Sequence, residues 1–476
     1  MPIEPIIKAF EEKIKSVVPE FLAMLTNGDL RKFEAELEKE IKNVYKNLAK
    51  EIITQVAESK EMEEKAKVIA QKKGLGQIKK TTSGLQLKTG DWIEIPSWFA
   101  LRSKSKKRSQ KKRGPNGSGV HILLAYWGCI LKATPGYYAL TTLFCILCPS
   151  FEIAEEVLNY QGTQAEDKRL RQLAYAMSEK CFGNRVKIAL KPGESLAGKR
   201  VVISIDGGRT RTRKYDKNKK PCKKNKDKRR KFKTPWREPK LFVIHTLEAD
   251  GSTRKMDLPI YDATLGNADA SFALLEAYLR ELQIHKASQV VFIADGARWI
   301  WHRVEKIFAT LGVAEKTTQV VDYFHAVEHL NEIVSIFHRK ELSKQQKKEL
   351  LHKLKQLLWE GNTDAIIETV SDLAKSRKRI IRKLDYFKRN SLRMQYDSFD
   401  KASLPCGSGI VESAIRRVIN LRFKSPSSFW NAQNVEKLIF LRSVFLAGRW
   451  KIMAQNLIYK IRSDFFVSEH KNSVAA

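Results

Sequence analysis

Two aspartates in this chain each close a short run of apolar and small residues and are each followed by glycine. Val201 to Ile205 runs into Asp206-Gly207-Gly208, and Gln289 to Ala294 runs into Asp295-Gly296. An acid at the mouth of a buried strand is costly unless it is paired or holds a cation. A third acid, Glu412, sits in a helix expected from Ile410, ahead of Arg416 and Arg417. Cleavage or transfer of a phosphodiester uses two divalent ions about 3.5–4 Å apart. Hard ions such as Mg²⁺ take carboxylate oxygens. Asp206, Asp295 and Glu412 have the residue types for that work. The plain alternative is that each aspartate caps the turn or helix after it. That alternative explains any one of them. It explains less well two acid–glycine pairs after two apolar strands in so basic a chain.

The charge supports a polyanionic partner. Lysine and arginine outnumber the acids 88 to 53 in 476 residues, for a net charge of +35, which favours nucleic acid or an anionic membrane. The one long apolar stretch, Val120–Phe144, is interrupted by Lys132, Pro135 and Gly136, so it does not read as a membrane span. The N-terminus carries Glu4, Glu11 and Glu12 and no clean apolar signal segment. Nucleic acid is therefore the expected partner, with no membrane. Six unevenly spaced cysteines make no disulfide framework and fit a reducing cytoplasm, with the protein associated with the nucleoid.

The elements that must position the acids follow in order. Phe33, Leu37, Ile41, Val44, Leu48 and Ile52 recur at helical spacing, as a helix packed in its own domain or as a dimer seam. Leu101–Arg113 is a basic, serine-rich run, read as an arm on phosphates. Val120–Phe144 is expected to form a buried hairpin turning at Pro135-Gly136. Cys145 and Cys148 make a lone C-x-x-C, weak evidence for zinc even with Cys129 and Cys181. A helix capped by Ser150 and a second from about Ala165, bearing Lys168, Arg169 and Arg171, form a generic helical pair or a helix-turn-helix. Arg209–Lys240 holds 17 basic residues and three acids, too charged to fold alone. Strands are then expected at Leu241–Leu247 and Arg254–Ile260, a helix at Ala268–Gln283, and a short strand at Gln319–Val321 ending in Asp322. Phe324 to about Arg393 is helical throughout.

Three hairpin-connected strands followed by helix–strand units resemble the element order of the RNase H fold. In that fold the first and fourth strands are neighbours, so Asp206 and Asp295 would stand side by side, with Asp322 one strand further out. The motifs SIDGGR around Asp206, FIADGARWIW around Asp295, DYFHAVEHL from Asp322 and GSGIVESAIRRVINLRFKSPSSFW around Glu412 carry a closer resemblance. From about Val201 to Trp450 the chain is similar to bacterial insertion-sequence transposases of the DDE, RNase H-like superfamily, near the Mutator-like and related groups. The resemblance implies Asp206, Asp295 and Glu412 as catalytic residues holding two Mg²⁺ ions, for which Mn²⁺ can substitute. It implies that Asp322 and His325 stand behind the ligands or contact DNA. Its partners would be the terminal inverted repeats of the element and target DNA, handled by a homodimer or larger assembly.

The expected organisation is an α/β RNase H-like catalytic domain with an all-α insertion, plus a mostly α N-terminal region with a small β element. Its segments are a helical candidate dimerisation region (1–90) and a DNA-binding region (91–195). The first part of the core (196–323) holds the basic insert (209–240). An all-α insertion (324–404), C-terminal core helices (405–465) and a tail (466–476) follow. Arg209, Arg211, Arg213, Lys214, Arg416, Arg417, Arg422 and Lys424 are expected on DNA. Trp430 fits either a core tryptophan or a platform for a flipped base. Three rival functions remain. One is a nuclease or resolvase of the same fold without strand transfer. Another is a non-catalytic DNA-binding relative. The third is a zinc protease built on His325, Glu328 and His329 (H-x-x-E-H), which leaves the charge and the Asp-Gly strands unexplained.

Overall fold

The computed structural model describes residues 4–102, 119–215, 232–374, 377–424 and 429–466. Most of the basic run at 101–113, the centre of the 209–240 insert and nearly all of the tail lie outside the described residues. The chain divides into two compact bodies, Met1–Lys180 with Ala454–Ala476, and Cys181–Met453. The boundary expected at 195 is thus displaced to 180. Glu194, on the N-terminal side of the expected boundary, pairs in the second body with the buried Arg449.

In the first body, helices α1 (Glu4–Thr26), α2 (Leu30–Glu58) and α3 (Lys60–Lys72) precede an antiparallel sheet of β1 (Leu75–Gln86), β2 (Trp92–Arg102) and β3 (Gly119–His121). Four more helices follow: α4 (Ile122–Tyr126), α5 (Pro135–Leu147), α6 (Phe151–Tyr160) and α7 (Asp167–Phe182). The core joins Ala66, Ile69 and Ala70 of α3 to Ala100 of β2 and Ile122 of α4. The hairpin expected over Val120–Phe144 is not formed. Pro135 stands at the first helical position of α5, and the Thr134 hydroxyl accepts from Tyr137 N–H at 3.4 Å. Threonine as cap followed by proline starts a helix rather than turning a strand. The tight turn falls earlier, at Leu131-Lys132, both with positive φ, between the bridged Ile130 and Ala133. In the α6–α7 pair, Arg169 turns inward, donating to Gln86 and to the Leu131 carbonyl.

The second body opens with α8 (Arg185–Ala189) and is built on a five-stranded mixed sheet. Its strands are β4 (Arg200–Gly207), β8 (Lys240–Leu247), β9 (Ile260–Thr264), β10 (Gln289–Ala294) and β11 (Thr317–Val321). Between β4 and β8, the strands β5 (Thr210–Tyr215), β6 (Phe232–Lys233) and β7 (Trp236–Arg237) belong to a separate small sheet. The large sheet runs β11-β10-β4-β8-β9, with β4 antiparallel to β8, β8 antiparallel to β9, and β10 parallel to both β4 and β11. The strand expected at Arg254–Ile260 lies later, at Ile260–Thr264, directly after Pro259. Its apolar pattern is broken by Asp262, which is fully buried against Arg185 and the Tyr278 hydroxyl. α9 (Ala268–Glu281) and α10 (Arg298–Thr310) flank β10 in the chain.

After β11 the chain is helical through α11 (Tyr323–Ile336), α12 (Lys344–Trp359), α13 (Thr363–Ala374), α14 (Lys378–Asn390) and α15 (Tyr396–Lys401). It returns with α16 (Gly409–Ile415), a π turn at Arg416–Asn420, and α17 (Leu421–Phe423). β12 (Trp430–Asn431), α18 (Ala432–Leu446) and α19 (Trp450–Phe466) end it. Among the described residues no helix is long and apolar enough to cross a membrane.

Candidate active site

Strand register brings the acids together. Ser204 of β4 lies opposite Ile293 of β10, and Ala294 lies opposite Val321 of β11. Carried to the strand ends, these registers put Asp206, Asp295 and Asp322 in one row across three adjacent parallel strands. Below the row the strands are sealed in the core: Val201, Val202, Ile203, Ile205, Val290 to Ala294, Val320 and Val321 are all buried.

The three aspartates differ in what they already hold. One Asp206 oxygen accepts the adjacent Gly207 N–H at 2.6 Å. Burial pushes its carboxyl up to about 6, and the charges of Asp295 and Glu412 push the same way, against the Gly207 hydrogen bond and nearby His325. One Asp295 oxygen accepts Ala297 N–H at 3.0 Å, closing the turn into α10. Asp322 is fully buried and caps α11, accepting His325 N–H at 2.8 Å and also the backbone N–H of Ser408. The plain capping role therefore holds for Asp322 and in part for Asp295.

Glu412 arrives from the far side of the helical segment. Ser408 is the cap residue of α16, so the Asp322 carboxylate fixes the point where that helix begins, and Glu412 stands in its first turn. Tyr323 N–H donates to the Cys406 carbonyl at 2.9 Å, a second tie between the starts of α11 and α16. Gly208 completes the approach. A Cβ there would lie 2.8 Å from Ile419 Cδ1 and 3.3 Å from Ile415, so a larger residue would push these side chains where the end of β4 meets the helix and π turn beyond Glu412. The π turn loosens the carbonyls of Arg417 and Val418, and the buried Arg442 donates to both, at 3.0 and 2.9 Å. Such turns are frequent at functional sites.

His325 bridges Asp322 and Glu412. Its Nδ1 lies 3.1 Å from Asp322 and 3.7 Å from Glu412, as an ion pair rather than an aligned hydrogen bond. The Asp322 carboxylate raises the imidazole to about 9, with Glu328 and Glu412 adding to it, so it is cationic at neutral pH. The same ring and the two backbone N–H groups hold Asp322 at about 2, against its burial. Among the described residues, Asp322, His325 and Glu412 form a group with ligand atoms all within 4.8 Å of one another. A metal ion here would have to displace the imidazole's proton; without one, the ring pairs with both carboxylates and holds Glu412 beside Asp322. His329 is not in this group. Its ring lies tilted against the Tyr386 ring at 3.9 Å between centroids.

Asp206, Asp295 and Glu412 lie near enough for the charges of the other two to act on the Asp206 carboxyl, but among the described residues their ligand atoms are not gathered within 4.8 Å as those of Asp322, His325 and Glu412 are. Burial foremost, and then the charges of Asp295 and Glu412, drive Asp206 toward its neutral form. Tyr386, which nothing in the sequence singles out, comes from α14 to this place. Its ring fills the space beside Gly296, and its buried hydroxyl has no hydrogen-bond partner among the described residues.

The expected DNA-contacting residues divide into two sets. Arg209, Arg211, Arg213, Lys214, Arg416 and Lys424 are exposed. Arg417 is half-buried against the Tyr261 hydroxyl, 3.3 Å away. Arg422 and Trp430 are corrections. Arg422 is buried, with its guanidinium 4.7 Å from the Trp430 ring centroid. Trp430 is 9% exposed and packs edge-on against Phe423. Arg422 therefore does not present a phosphate contact, and Trp430 is a core tryptophan rather than a platform for a base. No protein-family model matches this chain, and no curated protein is similar enough to count as a match.

Proposed function

We propose that the chain is a DNA transposase with an RNase H-like catalytic core, acting by metal-dependent phosphodiester hydrolysis at element ends and transfer of the freed 3′-OH into target DNA. One observation carries the proposal. Carried two residues past the Ser204–Ile293 pair, the register of adjacent parallel strands matches Asp206 with Asp295, and Glu412 is close enough to act on the Asp206 carboxyl. The sheet order, with its first and fourth strands parallel neighbours, supports the fold assignment.

Asp206, Asp295 and Glu412 would hold two Mg²⁺ ions, or Mn²⁺ in their place. Bound there, such ions activate the attacking oxygen and stabilise the leaving one. His325, cationic and clamped by Asp322, positions Glu412 and sets its distance from the strand ends. Arg209, Arg416 and Lys424 supply exposed positive charge for the phosphate backbone. The sealed strands beneath the row keep water away from the acids on one side. The working form is a homodimer or larger assembly in the cytoplasm, associated with the nucleoid. An exposed apolar series along α1, Ile7, Phe10, Ile14, Val18, Leu22 and Leu25, supports self-association.

The test is a cleavage and joining assay with the native terminal repeats in Mg²⁺, comparing wild type with Asp206→Asn, Asp295→Asn and Glu412→Gln. Removing several kcal/mol of charge stabilisation predicts rate losses of roughly 10²- to 10⁴-fold, with duplex binding retained. Wild-type joining in Glu412→Gln overturns its role. Cleavage without joining assigns a nuclease or resolvase instead.

A further inference from the structure

The small sheet of the second body carries an exposed face that the carboxylate site does not use. Along β5 the side chains alternate: Thr210 and Thr212 are buried, while Arg211, Arg213 and Tyr215 are exposed. Register sets Trp236 of β7 opposite Arg211, and Phe232 of β6 opposite Tyr215. The two-residue period places all five on one face. The Arg211 guanidinium lies 4.7 Å from the Trp236 ring centroid, and that of Arg213 lies 5.0 Å from Phe232. Tyr215 meets Phe232 edge-on at 5.8 Å. Trp236 remains 49% exposed, Tyr215 43% and Phe232 37%. Stacking of arginines on rings accounts for the short distances, but it leaves half of a tryptophan facing solvent.

We propose that this face binds single-stranded DNA, stacking unpaired bases on Trp236 and Phe232 while Arg211 and Arg213 hold the backbone. The proposal rests on the nucleic-acid reading above and names which form of DNA this surface takes. Three observations point to a single strand. Alternating cations and aromatic rings are the two components such surfaces need. Trp236 and Phe232 stand opposite positions four residues apart on β5, a separation of about 14 Å or roughly four times the 3.4 Å rise of a stacked strand, which suits bases drawn apart onto separate rings. The chain between β5 and β6, residues 216–231, has ten basic residues and two acids, so its charge complements a polyanion. The sheet is also tied to both arms of the carboxylate set. β5 begins four residues after Asp206. β12, from the segment after Glu412, pairs Trp430 with Thr212, and the Thr210 hydroxyl donates to the Phe423 carbonyl at 3.0 Å.

The full-length protein is titrated into a labelled oligothymidine of about 20 nucleotides and into a duplex of the same length, in EDTA, by fluorescence anisotropy. Base stacking worth about 1–3 kcal/mol predicts that Trp236→Ala and Phe232→Ala each weaken single-strand binding by roughly 5- to 100-fold. Duplex affinity should change by less than about twofold, because its bases are already stacked. Trp236→Phe should keep most of the single-strand affinity. The salt slope should be unchanged in Trp236→Ala and shallower by about 0.7 in Arg211→Gln. Far-ultraviolet circular dichroism and the urea midpoint confirm that each variant is folded. Wild-type single-strand binding in both alanine variants overturns the proposal, as does equal weakening on duplex and single strand. Metal-free binding is independent of the carboxylates. Failure here leaves the cleavage assay standing, and failure of that assay leaves this one standing.

Discussion

The buried carboxylate of Asp322 accepts the backbone N–H of Ser408, 86 residues later in the chain. It joins the end of β11 to the start of α16, and so sets where Glu412 stands. Asp322→Asn keeps the shape but loses the charge that holds His325. A charge-assisted bond and its buried partners are worth about 1.5–3 kcal/mol. We expect urea unfolding to show a loss of that size and joining activity to fall with it, while calorimetry shows Mg²⁺ still bound. Loss of metal binding in Asp322→Asn would instead make Asp322 a ligand.

Asp206→Asn should stabilise the metal-free protein. The folded state holds the Asp206 carboxyl at about 6, above its ordinary value of 3.8. A raised carboxyl stabilises the fold below the unfolded value, and that contribution is lost as pH rises from 3.8 through 6. By pH 7.5 the ionised, crowded carboxylate costs about 1–3 kcal/mol. The variant's urea midpoint should exceed that of wild type at pH 7.5, and the gap should shrink toward pH 4. Added Mg²⁺ should raise the wild-type midpoint and leave the variant's nearly unchanged. A variant less stable than wild type at pH 7.5 would remove the claim that burial and the neighbouring charges hold this carboxyl above its ordinary value.

The sheet and its acids were legible because buried parallel strands announce themselves. VVISI and QVVFIA are unbroken runs, and an acid at the end of each is conspicuous. β9 was harder to place, because Asp262 interrupts it and finds Arg185 only in three dimensions. The Val120–Phe144 segment misled for a local reason: its aromatic, β-prone composition hid a Thr-Pro helix start. Tyr386, Arg422 and Arg442 were beyond the sequence. A tyrosine in KLDYFKRN has the spacing of any amphipathic helix, and an arginine reads as surface until packing buries it. The π turn at Arg416–Asn420 likewise depends on Arg442 to receive its carbonyls.

Gly296 and Tyr386 should be coupled. A Cβ at Gly296 would sit 2.1 Å from Tyr386 Cε2, with the rest of the ring close behind. Gly296→Ala must push the ring or displace the Asp295 turn, and overpacking of this kind costs about 1–3 kcal/mol. Cleavage should fall in Gly296→Ala. Tyr386→Leu, which removes the colliding atoms, should restore part of the stability in the double variant. Tyr386→Phe should not, because the ring remains. Additive effects of Gly296→Ala and Tyr386→Leu in a double-mutant cycle would show that the two residues do not compete for this space.

His245 should make the protein acid-labile independently of the carboxylates. It lies on β8, 7% exposed, opposite Val202, and its Nδ1 has no hydrogen-bond partner among the described residues. Burial lowers its pKa to about 4. Below 6.5 the unfolded chain takes up a proton that the folded chain refuses. The stability this neutral imidazole contributes is complete above 6.5 and is lost as pH falls through 4. At pH 4.5 the loss is about 2–3 kcal/mol. His245→Leu has no proton to take up, so its urea midpoint should fall less than that of wild type between pH 7.5 and 4.5. Asp206 acts in the opposite sense over much of that window, and wild type alone would show only the difference of the two. Comparing His245→Leu with wild type in an Asp206→Asn background isolates the histidine. Parallel pH curves for that pair would mean that His245 is protonated inside the fold.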